Sequence, residues 1–211
     1  MIAIINYGMG NIQSVFNAFQ VIGENVTVVN SPGQLHEASA VVLPGVGAFG
    51  DGMKSLVEQG FVESLRENVL EKGKPFLGIC LGLQLLATAG NEHGHHAGLD
   101  WVKGVVDRLS VSPASAGLRV PHIGWNDVRI LKKEGLFAGL GEVQTFYFVH
   151  SYVLQPEEPQ VVSGVCSYGE EFAAGVETKN IYATQFHPEK SHKAGLQILK
   201  NFADIVRAVR C

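Results

Sequence analysis

Apolar residues along this chain follow two rhythms, and the change from one to the other falls near its middle. In the first part, short β-branched runs recur at residues 2–6 (IAIIN), 26–29 (VTVV), 40–44 (AVVLP) and 74–80 (KPFLGIC), separated by segments with helical spacing. Between the first two runs Ile12, Val15, Phe16, Phe19 and Ile22 share one helical face, with Asn11 as cap and Gly23 as stop. Phe61, Leu65, Val69 and Leu70 repeat the pattern before the fourth run. Such alternation predicts an α/β fold, an open and mostly parallel sheet flanked by helices.

From residue 101 onward the runs WVKGVVDRL, NDVRIL, VQTFYFVHSYV, QVVSGVCSYG and FAAGVETKNIYATQFH follow one another closely, joined by Gly and Pro turns. They predict an antiparallel or mixed extension of the sheet. Leu196, Leu199, Phe202, Ile205, Val206 and Val209 then recur at helical intervals and predict a closing amphipathic helix from Lys193 to Val209. At 211 residues, without a linker or internal repeat, the chain is expected to form one domain over 1–211.

Composition narrows the function without naming it. With 46% hydrophobic residues and a net charge of −4, neither disorder nor a general pull toward nucleic acid is expected. The opening MIAIINYGMG has no basic region and turns too early for a signal peptide or membrane span. Three cysteines, Cys80, Cys166 and Cys211, show no CxxC spacing, which argues against a disulfide framework or a cysteine zinc site and for a cytoplasmic protein.

Candidate chemistry concentrates in two segments. In PFLGICLGLQLLATAG an apolar strand ends in Gly78-Ile79-Cys80-Leu81-Gly82 and runs into a helical LQLLATA pattern. This is a nucleophile elbow with cysteine in the serine position. The turn would lift the sulfur out of the sheet at a helix N-terminus, where a thiolate is favoured, and aim the Leu81 N–H at a developing oxyanion. Alone, the segment would also suit a small buried cysteine packed behind glycines. The second segment, Thr184 to Glu189, delivers His187 at the end of an apolar strand, followed by Pro188 and by Glu189, which can fold back on the ring. Nucleophile, base and orienting acid thus all have candidates. The cluster His93, His95 and His96 lacks zinc-motif spacing and reads as a solvated loop, while Cys166 and Cys211 read as structural or incidental. Neither metal nor organic cofactor is called for.

Gly78 to Gly82 together with His187-Pro188-Glu189 resembles the class I (triad) glutamine amidotransferases, over essentially the whole chain. Four more segments, residues 6–11 (NYGMGN), 43–49 (LPGVGAF), 121–126 (PHIGWN) and 147–152 (YFVHSY), are similar to the branch that serves a separate (β/α)8-barrel cyclase subunit of histidine biosynthesis. The resemblance implies a flavodoxin-like open sheet and a glutaminase with catalytic Cys80, His187 and Glu189. It implies that the loop Gly45, Val46 and Gly47 completes the oxyanion hole with Leu81. Glutamine would bind at Gly47, Gln84, His150, Ser151 and Tyr152. Asn11, Trp125, Tyr147 and Lys190 would meet the cyclase in a heterodimer, and a structural hydrogen bond is the implied use of His122. Three alternatives stay open: a paralogous glutaminase subunit feeding a different synthase, a γ-glutamyl hydrolase or cysteine peptidase on the same scaffold that needs no partner, and a non-catalytic scaffold of the same shape.

Overall fold

Strand β1 (Ile2–Ile5) is buried at all four positions, and its side chains alternate between the two faces of a sheet. Ile2 and Ile4 join a cluster with Val15, Phe19, Phe186, Leu199 and Phe202. Ala3 and Ile5 join another with Leu35, Phe61, Leu65 and Leu83. A strand buried on both faces belongs in the middle of a parallel sheet, which explains why the first four runs are almost continuously apolar.

The computed structural model describes residues 1–111 and 117–209; Cys211 lies outside them. The other strands of the first part are β2 (Val26–Val29), β3 (Ala40–Gly45), β4 (Phe76–Cys80) and β5 (Ala87–Gly90). They are followed by β6 (His96–Ala97), β7 (Val102–Arg108), β8 (His122–Ile130), β9 (Val143–His150) and β10 (Tyr152–Pro156). Last come β11 (Val162–Tyr168), β12 (Glu170–Thr178) and β13 (Ile181–Thr184). The main sheet has nine strands in the order β2-β1-β3-β4-β13-β12-β11-β8-β9. From β2 to β13 neighbours run parallel, and from β13 to β9 antiparallel. The predicted parallel sheet with its antiparallel extension is therefore the observed architecture.

Helix α1 (Ile12–Val21) starts where the Asn11 side chain accepts from Ser14 N–H at 3.2 Å. It packs on the same face as the closing helix α5 (His192–Ala208). On the opposite face lie α2 (Phe49–Glu58) and α3 (Phe61–Leu65). No described helix is long and apolar enough to cross a membrane.

Several expectations need correction. The elbow helix α4 (Leu81–Gln84) is a single turn, and Ala87–Gly90 is strand β5. The helical pattern yields there because β5 finds partners: it pairs with β6 and β7, and β7 with β10, in a second sheet of order β10-β7-β5-β6. This smaller sheet covers the α2 side, with Ala87, Val102, Val106 and Leu154 buried in the second cluster. Leu70, assigned to an apolar helix face, lies in a π-helical turn (Arg66–Glu71) and is 45% exposed. Val209 follows the end of α5 and is exposed as well.

Candidate active site

Three parallel strands, β3, β4 and β13, end at one edge of the sheet. In register Gly45 lies opposite Cys80, and Thr184 opposite Ile79. The PGVG loop, the elbow and the HPE segment are therefore neighbours at the carboxyl edge, where open α/β sheets gather their sites.

The elbow is tight in a way that only glycine permits. A Cβ on Gly78 would stand 2.6 Å from the Gly82 carbonyl oxygen, and one on Gly82 would stand 1.9 Å from that of Leu43. Between them Cys80 has φ 54° and ψ −104°, a conformation that L-residues rarely hold and that costs about 1–3 kcal/mol. Its sulfur lies 3.9 Å from the Val149 carbonyl and accepts from Gln185 Nε2 at 3.6 Å. Leu81 opens the single-turn helix, so its N–H has no partner within α4.

His187 is held from both sides. Its backbone N–H donates to the Tyr147 carbonyl at 2.9 Å, and its own carbonyl accepts from Ser191 Oγ at 2.6 Å. The ring Nδ1 lies 2.8 Å from Glu189 Oε1, with both side chains almost wholly buried. That bond assigns the Nδ1 proton to the carboxylate and turns Nε2 the other way, where it makes no hydrogen bond among the described residues. Burial disfavours the imidazolium most, but the Cys80 sulfur and then Glu189 together outweigh it and raise the His187 pKa to about 10.

Over the sulfur opens a cavity of about 510 Å³. Val46, Gly47, Cys80, Leu81, Gln84, His150, Ser151, Tyr152 and Lys190 line it, so the predicted oxyanion and glutamine residues are brought together except Gly45, which lies beneath. His187 and Glu189 are not part of its wall. Ala48, Glu92, Pro121 and Val149 also line it and were missed. Glu92, which directly precedes the histidine cluster expected to be a solvated loop, accepts from Phe49 N–H at 2.8 Å and so reaches back over α2 to the site. Its only signal was proximity to the elbow in sequence.

One predicted donor faces elsewhere. The Val46 N–H donates to the Met9 carbonyl at 3.1 Å, so it does not point at the cavity. Gly47, with φ +107°, occupies a conformation suited to glycine.

His122 and His150 form a one-way hydrogen-bond chain beside the cavity. His150 Nδ1 faces the Tyr152 carbonyl at 3.1 Å and must donate, so its Nε2 accepts from His122 Nδ1 at 3.1 Å. His122 Nε2 then accepts from Asn126 Nδ2 at 3.3 Å. Burial keeps both rings neutral, lowering the pKa to about 4 for His122 and about 3 for His150.

The residues predicted to meet a partner divide. Trp125 and Tyr147 are directly paired across β8 and β9, with ring centroids 5.9 Å apart. Lys190 Nζ stands 5.8 Å over the Tyr147 ring, and Trp125 stacks on His192 at 4.8 Å. Trp125 is 47% exposed, so it is a surface group and not a core filler. Asn11 is exposed too, but its side chain is occupied in capping α1.

The chain belongs to the class-I glutamine amidotransferases: the profile of that family, Glutamine amidotransferase class-I, matches residues 3–206. Imidazole glycerol phosphate synthase subunit HisH of Moorella thermoacetica is 50% identical over 206 residues, 98% of this chain and 95% of the relative. The HisH subunit of Methanothermobacter thermautotrophicus is 49% identical over 208 residues, 99% and 100% of the two chains. These relatives place the chain among the HisH glutaminase subunits of imidazole glycerol phosphate synthase. A chain in the solved structure of PurLQS from Thermotoga maritima shares the fold, with a TM-score of 0.74 at 17% identity over 97% and 98% of the two chains.

Proposed function

We propose that Cys80, His187 and Glu189 form the triad with which this chain hydrolyses glutamine, and that the ammonia passes to a (β/α)8-barrel cyclase subunit docked over the same face. The observation that carries the reading is the buried His187 ring, with one nitrogen pinned by Glu189 and the other unpaired, next to a strained cysteine at the floor of a cavity.

The steps follow from those groups. The Cys80 thiolate attacks the side-chain carbonyl of glutamine, and the electrons move to the carbonyl oxygen beside the Leu81 N–H. His187, protonated and steadied by Glu189, gives its Nε2 proton to the departing nitrogen as the C–N bond breaks, leaving ammonia and a glutamyl thioester. Water then loses a proton to His187 and attacks the thioester; the C–S bond breaks, glutamate is released, and the thiolate and protonated His187 are restored. Turning the Gly45–Val46 peptide would release the Val46 N–H from Met9 and supply a second oxyanion donor. Partner binding is the natural trigger for that turn.

Ammonia that reached bulk water near neutral pH would mostly become ammonium, so the acceptor chemistry must close over the exit. The exposed Trp125 with the half-buried Tyr147 and Lys190, next to the cavity-lining strands, offers the aromatic and cationic anchors for that contact. Residues 1–211 are read as one glutaminase domain of a cytoplasmic heterodimer, in which the cyclase makes imidazole glycerol phosphate and aminoimidazole carboxamide ribotide. The test is Cys80→Ala in the complex with the cyclase subunit. Glutamate release should vanish while added ammonium still supports cyclisation; persistence of glutamine-dependent turnover would remove Cys80 from the mechanism.

A further inference from the structure

Two polar side chains, Gln185 and Gln84, stand in series between the Cys80 sulfur and the wall of the cavity, and the first, Gln185, has no role in the mechanism above. Gln185 is wholly buried, and its backbone N–H is fixed to the Ala174 carbonyl at 2.9 Å. Its Nε2 donates to Cys80 Sγ at 3.6 Å, and its Oε1 accepts from Gln84 Nε2 at 3.2 Å. The same Gln84 nitrogen donates to the Tyr152 carbonyl at 2.9 Å.

Each of these contacts dictates the next. The sulfur directs the one proton a thiol could offer at the Val149 carbonyl, 3.9 Å away, so toward Gln185 it can only accept and the Gln185 amide must turn its NH2 toward it. Its carbonyl then faces Gln84, which must answer with its own NH2. Both Gln84 N–H groups are thereby used, one on Gln185 and one on Tyr152. Gln84 Oε1 is the polar atom left for the cavity that Gln84 lines. Reversing either amide would set NH2 against NH2 or oxygen against sulfur in a dry interior, where an unmet polar group costs about 1–3 kcal/mol.

We propose that Gln185 is a positioning residue with two outputs: it holds the Cys80 sulfur by a donated hydrogen bond, and through Gln84 it presents a carbonyl acceptor to the α-ammonium group of bound glutamine. The nucleophile and the recognition of a free amino acid are thus set by one amide. The proposal rests on the reading of Cys80 as the nucleophile, and the Cys80→Ala experiment decides that reading separately.

The test uses the heterodimer with the cyclase and the variants Gln185→Leu and Gln185→Met, alone and in a Gln84→Leu background. The readouts are KM and kcat for glutamine, the rate at which iodoacetamide alkylates Cys80 at fixed pH, and the melting temperature. Iodoacetamide has no α-ammonium group, so it reports on the sulfur alone. Losing a hydrogen bond to a charged group should slow alkylation about tenfold, and losing the Gln84 orientation should raise KM by a similar factor. In the Gln84→Leu background Gln185→Leu should still slow alkylation but raise KM no further, because the acceptor is already gone. Gln185→Met repeats the test with an unbranched side chain should the leucine variant not fold. Wild-type alkylation and KM in the folded variants, or an equal rise of KM in both backgrounds, overturns the proposal. So does a fall in melting temperature with both readouts unchanged, which would assign Gln185 to the core alone.

Discussion

Gly82 lies so close to Leu43 that a Cβ added to the glycine would stand 1.9 Å from the Leu43 carbonyl oxygen. The contact joins the elbow to the neighbouring strand, and the atom in the way is backbone, which cannot swing aside. It keeps α4 pressed on β3 and sets the height of the Cys80 sulfur over the sheet edge.

Gly82→Ala should therefore force the elbow away from β3. Overpacking and lost register should cost about 3 kcal/mol, near the upper end for a single substitution. In a chain of this size that is a fall in melting temperature of about 6–12 °C. Thermal denaturation followed by circular dichroism measures it, and an unchanged midpoint would mean that the strand gives way easily.

Glu189→Gln keeps the shape of the residue that holds His187 Nδ1 at 2.8 Å but removes its charge. The imidazolium loses an anion that helps raise its pKa to about 10, and the amide can present NH2 where an acceptor is needed. We expect kcat for glutamine hydrolysis in the complex to fall about 10²–10⁴-fold. A loss of less than tenfold would leave Glu189 without an orienting role.

Glu177 introduces a pH dependence of stability remote from the site. Burial raises its pKa from 4.5 to about 7, against the opposing hydrogen bond from the Leu136 N–H and the charge of Lys132. From pH 4.5 to 7 the folded protein keeps a proton that the unfolded chain has lost, so stability falls as pH rises through this window and stays lower above it. Partial solvent screening limits the effect to about 1–2 kcal/mol. Glu177→Gln should raise stability at pH 8 and leave it nearly unchanged at pH 4. Urea unfolding at the two pH values would show this, and an equal gain at both would contradict it.

Trp125→Ala should act on assembly and spare the fold. The indole is 47% exposed and stacks on His192, so its removal empties no core. Affinity for the cyclase should weaken about 10–100-fold, as for an aromatic anchor, with stability changed by no more than about 0.5 kcal/mol. Calorimetric titration of the two proteins checks this; unaltered affinity would move the interface elsewhere.

The elements most legible in the chain were those whose signal is local. The four apolar runs became β1 to β4, and of the run IYATQF residues 181–184 became β13, which ends three residues before His187; strands inside a covered parallel sheet are largely apolar, and that signal is local. Helix α2 was not singled out, since Gly50 and Gly52 weaken its first turn; Gly52 is there because Leu81 packs against it, at 3.0 Å from a would-be Cβ. LQLLATA looked helical by spacing, yet pairing with β6 and β7, the next two strands of the chain, drew Ala87–Gly90 into the second sheet. Glu92 gave no sign beyond its closeness to the elbow, and Gln185 gave none of touching the sulfur, because each acts through a partner distant in sequence.

The residue order alone determined which groups could react and at which bends they sit: a cysteine between two glycines, and a histidine followed two residues later by a glutamate. Those features depend on a few adjacent residues and their backbone preferences. Only the folded chain decided that Gln185 touches the sulfur, that the Val46 amide is turned onto Met9, and that His122 and His150 align their protons in one direction. Such facts depend on strand register and on which atoms compete for each donor in three dimensions, and no stretch of neighbouring residues encodes either.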